Sequence, residues 1–308
     1  MPEPPSLSIV APALASPVED SLPLPEARPV DPVKVAVFDR INRDRLAAGV
    51  PAVAWDDHAS RVADEFCANQ IRENTSGHFL TDGLPPYART SFAGVFGMQL
   101  ENSVTWKTTG SSFDEPSVNL ALEGHASMLA EKPPNDGHRR TILDPDATHV
   151  GVGYALSRGE FRMSQEFLVR HLAWLRLEQL SRSGVVEVRG SPIEGRRLLF
   201  VSIGWEPVPR ALTREEASGR TSYGYPTVEE AFVREGNQTL KIVGTTTLDR
   251  IRFGADREFA FRFEPNRPGL WTLTFHTSAL REDRIVPGGV ATLWVSGEAR
   301  PVLPAEAR

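Results

Sequence analysis

The spacing of apolar residues changes along this chain from the repeat of an α-helix to that of a β-strand. In the first part they recur at helical intervals, as in Ala59, Val62, Ala63 and Phe66, which is the pattern of a helix with one buried face. After Pro145 they alternate, as in "THVGVGYAL" and "EFRMSQEFLVRHLAWLRL", which predicts strands. Helices followed by strands predict an α+β fold for residues 32–180.

Three helices can be placed in this region. The first begins after Asp31, a favourable N-cap, with Pro32 at its first position. The second follows Trp55, with Asp56 or Asp57 as its cap, and the third covers about 116–130. Residues 81–115 are rich in Gly, Ser and Thr and are predicted to be irregular.

Composition and periodicity distinguish three further segments of the sequence. Over 184–300, short apolar runs are separated by Gly, Pro and Asn turns, which predicts an all-β, β-sandwich-like module. Residues 1–31 are Pro-rich and lack periodicity, so they are predicted to be a disordered leader. Residues 301–308 form a tail. We expect the first domain to fold without the β-module.

Composition excludes several classes of protein. The single cysteine, Cys67, cannot form a disulfide within the chain. The net charge of −6 and the absence of a basic stripe argue against nucleic-acid binding. No apolar run approaches the roughly 18 residues of a transmembrane helix. The leader has neither a basic start nor a long apolar stretch, so no signal peptide is evident.

Four residues in the first domain can carry chemistry: His78, Glu101, Glu131 and His138. All lie at predicted element ends or in loops, where functional sites concentrate. Two imidazoles and two carboxylates can bind a divalent cation such as Zn²⁺, although no HExxH or CxxC motif is present. A serine hydrolase has no support, because no Gly-x-Ser-x-Gly motif occurs.

The same residues lie in motifs that resemble the CAP superfamily: the cysteine-rich secretory, antigen 5 and pathogenesis-related-1 proteins, here in the bacterial SCP-like form. The resemblance covers about 33–170 and is carried by "RINRDRLAAGVPAVAWDD", His78, "LENSV", "DGHRRTILDPDATHVGVGY" and "MSQEF". It departs from the family pattern where "GENI" is "LENS" and where "GHR.NIL" is "GHRRTIL".

The resemblance implies a three-layer α-β-α sandwich with a cavity lined by two histidines and two acids. His78 matches the first histidine of the family, Glu101 the glutamate of its "EN" motif and His138 the histidine of "GHR". Glu131 is the candidate for the second acid, with Glu123 and His125 as competitors.

The family resemblance also implies a function. It favours a secreted protein, extracellular, periplasmic or attached to the cell envelope, that acts as a binding or effector protein rather than an enzyme. Its cavity would hold a cation such as Zn²⁺ or a small ligand, and its partners would be a small ligand, a lipid or a cell-surface protein or glycan. The alternative is a metal-assisted hydrolase, peptidase- or esterase-like, that uses the same cavity. The sequence leaves open the ligand, the oligomeric state and the role of the β-module.

Overall fold

The computed structural model describes residues 8–10, 28–107, 117–157, 159–180, 184–234, 247–253 and 257–296. Its helices are α1 (Pro32–Ala47), α2 (Asp57–Glu73), α3 (Pro86–Phe92), α4 (Val118–Leu129), α5 (Gly137–Ile142) and α6 (Arg214–Gly219). Its strands are β1 (Ser8–Val10), β2 (Ala54–Trp55), β3 (Met98–Lys107), β4 (His149–Ser157), β5 (Glu160–Val169), β6 (Leu172–Leu180), β7 (Val185–Pro192), β8 (Arg196–Glu206), β9 (Val228–Arg234), β10 (Thr247–Phe253), β11 (Phe259–Phe263), β12 (Gly269–Ala279) and β13 (Val286–Ser296). The predicted α+β character is confirmed.

The predicted helices begin at the expected caps. The Asp31 carboxylate accepts hydrogen bonds from the backbone N–H groups of Val33 and Lys34, and the Asp56 carboxylate accepts one from Ala59. The sequence pattern did not predict α3 and α5, because helices of one or two turns show no clear repeat. Tertiary packing stabilises α3, since Tyr87 is buried between this helix and the second sheet.

The first sheet has four strands in the order β2-β4-β5-β3, so β3 is an edge strand. Alternate residues of β5 point to opposite faces. Phe161, Met163 and Phe167 join the core formed with α1 and α4, whereas Ser164 and Glu166 point to the face that α2 covers. Helices therefore lie on both faces of this sheet.

The second sheet has nine strands in the order β1-β13-β12-β8-β9-β10-β11-β7-β6. Strands near opposite ends of this sheet contribute to the same hydrophobic core, which contains Leu175 of β6 and Leu293 of β13. One face of the sheet therefore wraps around a shared core. Its pairs are antiparallel except for β9 with β10, which are parallel.

The long alternating run predicted to lie within the first domain is divided between the sheets. Strand β5 pairs with β3 and β4, whereas β6 pairs with β7 in the second sheet. The chain crosses over at Arg170, which donates to Asp56 of the first domain, and His171, whose N–H donates to the carbonyl of Gly288. Apolar and polar residues alternate in both β5 and β6, so periodicity alone could not show where the chain passes from the first sheet to the second.

A short strand lies within the segment predicted to be a disordered leader. Ser8–Val10 form β1, which pairs with the end of β13. Ile9 packs against the core of the second sheet. Three residues are too few for a sequence pattern, and their order comes from the neighbouring strand.

The connection between β8 and β9, residues 207–227, crosses onto the first domain, and we call it the strap. Its Leu212 N–H donates to the carbonyl of Thr81 at 2.8 Å, and its Ser218 hydroxyl accepts from the N–H of Ser76 at 3.2 Å. Leu212 and Ala217 bury Phe79. The strap therefore packs against the loop that carries His78.

Candidate functional site

His78, Glu101 and Arg89 form a buried charged cluster. The Nδ1 atom of His78 lies 2.8 Å from Oε1 of Glu101, and Arg89 donates from Nη2 to Oε2 of the same carboxylate. The Glu101 side chain is 0% exposed and the His78 side chain 10%. Both oxygens of Glu101 are therefore engaged by neighbouring side chains.

Three separate elements bring these side chains together. Glu101 lies on the edge strand β3 and Arg89 on α3, where its guanidinium stacks 3.8 Å from the ring centre of Phe66. His78 follows Gly77, which adopts a left-handed conformation (φ +81°) that favours glycine. The strap passes close to this turn, because a Cβ atom at Gly77 would lie 3.3 Å from the carbonyl oxygen of Arg220.

A fourth titratable residue of the cluster, Glu166, was not predicted from the sequence. It lies directly opposite Glu101 in the pairing of β5 with β3 and is fully buried. Gln99 donates to its Oε2 and Ser164 to its Oε1. The residue stands in the "MSQEF" motif, but its contact with Glu101 depends on strand register, which the motif does not encode.

The two glutamates differ in charge. Complete burial, together with the neighbouring Glu101 carboxylate, raises the pKa of Glu166 well above its usual value. Burial also raises the pKa of Glu101, but Arg89 opposes that shift. We therefore assign the proton to Glu166, which donates to Glu101, and the negative charge to Glu101, which pairs with Arg89.

His78 is the neutral member of the cluster. Burial is the main cause that lowers its pKa to about 4, and the positive charge of Arg89 adds to the effect. A neutral imidazole that donates from Nδ1 to Glu101 has Nε2 as its acceptor. Within the described part of the chain, Nε2 of His78 forms no hydrogen bond.

Two tyrosines of the strap complete this cluster. The hydroxyl of Tyr223 accepts from the N–H of Glu101 at 2.7 Å, and its ring packs edge-on to His78 at 5.0 Å. The hydroxyl of Tyr225 contacts both the N–H and the carbonyl of Gln99. These residues lie in the predicted β-module, and no local motif marked them.

His138 and Glu131 form a second pair. The Glu131 carboxylate accepts from the backbone N–H of His138 at 3.0 Å and lies 2.5 Å from its Nδ1. These two contacts fix the direction of the ring, which is 32% exposed as a side chain. The competing acid, Glu123, is exposed on α4, so of the two candidates Glu131 is the one that contacts His138.

The two pairs are linked through Asn102. This residue follows Glu101 on β3, and its side chain donates from Nδ2 to the carbonyl of His138 at 3.1 Å. Because successive side chains of a strand alternate, Glu101 and Asn102 point to opposite faces of the sheet. The structure thus shows two histidine–glutamate pairs beside one edge strand.

The four predicted residues do not fit a zinc site with four protein ligands. Each glutamate is hydrogen-bonded to the Nδ1 atom of its histidine, and Glu101 also forms an ion pair with Arg89. In the part of the chain that the structure describes, the Nε2 atoms of the two histidines are the ligand atoms of these pairs that form no hydrogen bond, whereas a zinc site needs three or four ligands. Among the described residues, no three His, Cys, Asp or Glu side chains are placed to hold one metal ion.

His125, the other competitor, lies in the interior between α1, α4 and β5. It is completely buried, its Nε2 lies 3.1 Å from Asp44 and its Nδ1 lies 3.1 Å from Nε2 of Gln165. Both ring nitrogens are therefore engaged by neighbouring side chains.

Comparison with known proteins supports the family resemblance. Residues 38–169 match the family model of CAP, the cysteine-rich secretory protein family. No curated protein matches the chain significantly. The matched region is a CAP domain, and it holds all four predicted site residues.

The solved structures that match part of this chain include three bacterial proteins. An outer surface protein of Borrelia burgdorferi is 17% identical, with 43% of this chain and 88% of that chain covered and a TM-score of 0.34. An extracellular protein with an SCP domain from Bacillus anthracis is 19% identical (46% and 45% covered, TM-score 0.34). A cysteine-rich secretory protein of Staphylococcus aureus is 17% identical (46% and 40% covered, TM-score 0.28). This chain spans less than half the length of the last two.

No helix among the described residues is both long and apolar enough to cross a membrane.

Proposed function

We propose that this chain is a secreted or envelope-associated binding protein, in which the CAP domain binds a small ligand beside His78 and Glu101. The proposal includes a three-layer CAP sandwich, supported by helices on both faces of the first sheet, and a β-sandwich-like second module. The location outside the cytoplasm is supported by the family alone. Immunoblotting of culture medium, envelope and cytoplasm of the native host tests it, and a purely cytoplasmic signal would contradict it.

The observation that carries the proposal is that both carboxylate oxygens of Glu101 are hydrogen-bonded and that its side chain is fully buried. A general base must accept a proton from water or substrate through a free lone pair within hydrogen-bond reach. Glu101 already receives hydrogen bonds from His78 and Arg89, and Glu166 carries a proton. These groups are arranged to hold His78 in one tautomer and orientation, which favours binding over hydrolysis.

His78 itself supplies the contact to the ligand. Its ring is neutral, its Nδ1 is fixed by Glu101, and its Nε2 is available as an acceptor. A group oriented before binding loses less entropy when the ligand arrives. The site therefore favours a ligand that donates a hydrogen bond, from a hydroxyl or an amide.

An assay of hydrolysis and zinc binding separates the proposal from the metal-assisted hydrolase. We expect wild-type protein to cleave p-nitrophenyl acetate and labelled casein no faster than His78→Ala, with or without ZnCl₂. We also expect zinc to change the melting temperature equally in wild type and His138→Ala, since the site lacks a full set of ligands. A hydrolysis rate that disappears in His78→Ala, or a zinc-dependent stabilisation that disappears in His138→Ala, would favour the hydrolase.

Binding itself is tested by extraction. Wild-type protein isolated under native conditions should release a small compound, detected by mass spectrometry, that is absent from His78→Ala isolated in parallel. Recovery of the same compounds from both proteins would place the ligand elsewhere.

A further inference from the structure

The free edge of β3 is covered by side chains instead of a strand. Because β3 ends its sheet, the backbone groups of alternate residues point away from β5. The outward groups beside the site belong to Gln99 and Glu101. Such groups are a template for another extended chain unless something covers them.

The cover consists of two tyrosine hydroxyls from the strap. Tyr225 Oη lies 3.0 Å from the N–H nitrogen of Gln99 and 2.9 Å from its carbonyl oxygen, so it accepts from one and donates to the other. Tyr223 Oη accepts from the N–H of Glu101 at 2.7 Å. A pairing strand would offer the same donors and acceptors, and the two tyrosines share the two-residue spacing of the groups they cover.

Side chains alone attach this cover to the edge. No backbone–backbone hydrogen bond among the described residues involves residues 221–227. Tyr223 Oη also donates to the side-chain oxygen of Gln99 at 3.4 Å, and its ring contacts His78 edge-on. Tyr225 stacks on Tyr87 at 4.6 Å, and both tyrosines pack against the apolar cluster that contains Leu270. Ser222 and Gly224 are exposed. The cover can therefore separate from the edge without breaking any strand pairing.

We propose that the edge of β3 at Gln99 and Glu101 is a docking site for an extended peptide with tyrosines at alternate positions, and that the chain's own Tyr223 and Tyr225 occupy it as an intramolecular ligand. Docking of such a peptide displaces the cover, so its first tyrosine takes the place of Tyr223 against His78. The inference rests on the proposed binding function, because the docking edge borders the site at His78, and it adds a peptide partner to the small ligand proposed there.

The test uses the full chain and two double variants. Tyr223→Phe with Tyr225→Phe removes only the hydroxyls, whereas Tyr223→Ala with Tyr225→Ala opens the edge. The probe is a labelled peptide of the strap sequence RTSYGYPT, with RTSFGFPT as its control, and binding is measured by fluorescence anisotropy. Because a tethered segment competes at a high effective concentration, we expect the tyrosine peptide to bind the alanine variant at least about tenfold more tightly than wild type. The phenylalanine peptide should bind neither.

Hydrogen exchange gives a readout that needs no peptide. The amides of Gln99 and Glu101 should exchange at least about tenfold faster in the phenylalanine variant than in wild type, while amides of β5 stay unchanged, because only the hydroxyls protect the edge. Unchanged exchange at these two amides would overturn the proposed cover.

Three other results would overturn the docking site. They are failure of the tyrosine peptide to bind a folded alanine variant, equal binding of both peptides, and dimerisation of that variant in sedimentation, which would assign the edge to a second copy. None of them depends on hydrolysis, zinc or extracted ligand. A failed docking experiment therefore does not contradict the binding function of His78, which the hydrolysis, zinc and extraction experiments test separately.

Discussion

Replacing Glu101 by alanine is expected to lower the free energy of unfolding by about 3–5 kcal/mol, because it leaves the Arg89 guanidinium buried without its counter-ion. The Arg89 side chain is 12% exposed, and Glu101 is its ion-pair partner in the structure. Urea denaturation of purified variants measures the effect.

Glu166→Gln is the matched control for this prediction. Glu166 is as deeply buried as Glu101, lies opposite it in the sheet and carries a proton. An uncharged glutamine of nearly the same shape should therefore cost less than about 1 kcal/mol. If Glu166→Gln destabilises the protein as much as Glu101→Ala, the negative charge resides on Glu166 and our assignment is reversed.

Gly153→Ala is expected to destabilise the protein by about 3 kcal/mol, the upper end of the usual cost of overpacking. A Cβ atom at this position would lie 2.1 Å from the backbone nitrogen of Asp64 and 2.6 Å from Cβ of Ala63. Helix α2 would have to move away from β4, which would strain the hydrogen bond from the N–H of Tyr154 to Asp64.

Gly137→Ala provides the control for the second prediction. Gly137 is the first residue of α5, and a Cβ atom added there would meet no other atom within 4 Å among the described residues. Since alanine favours helices over glycine, stability should be unchanged or rise by up to about 1 kcal/mol. Equal losses in the two variants, measured as melting temperature by calorimetry, would show that the contact of α2 with β4 is not rigid.

Local features of the sequence predicted local structure well. Asp31 was recognised as a cap, and Asp56 as one of two candidates, because capping involves residues only two or three positions apart. The motifs that carry His78, Glu101 and His138 were recognised by family resemblance. The contact between Glu131 and His138 spans seven residues and was within reach of the same reasoning.

Contacts between distant segments were beyond this reasoning. Glu166 reaches Glu101 only through the register of β5 with β3, and Tyr223 reaches it from 122 residues away. The crossing at Arg170 and His171 interrupts an alternating pattern that has no Gly or Pro to mark it. In each case the position is set by tertiary packing, which periodicity does not encode.

The titration of His78 is the most direct test of a binding site built around a neutral imidazole. NMR of protein labelled with ¹⁵N in its histidines reports both the tautomer and the pKa. We predict a proton on Nδ1 and no protonation of Nε2 until about pH 4. The unfolded chain titrates near pH ~6.5, so the contribution of His78 to stability is full above that pH and is lost as the pH falls towards about 4. Protonation near pH 6.5 in the folded protein, or a proton on Nε2 instead of Nδ1, would contradict the account.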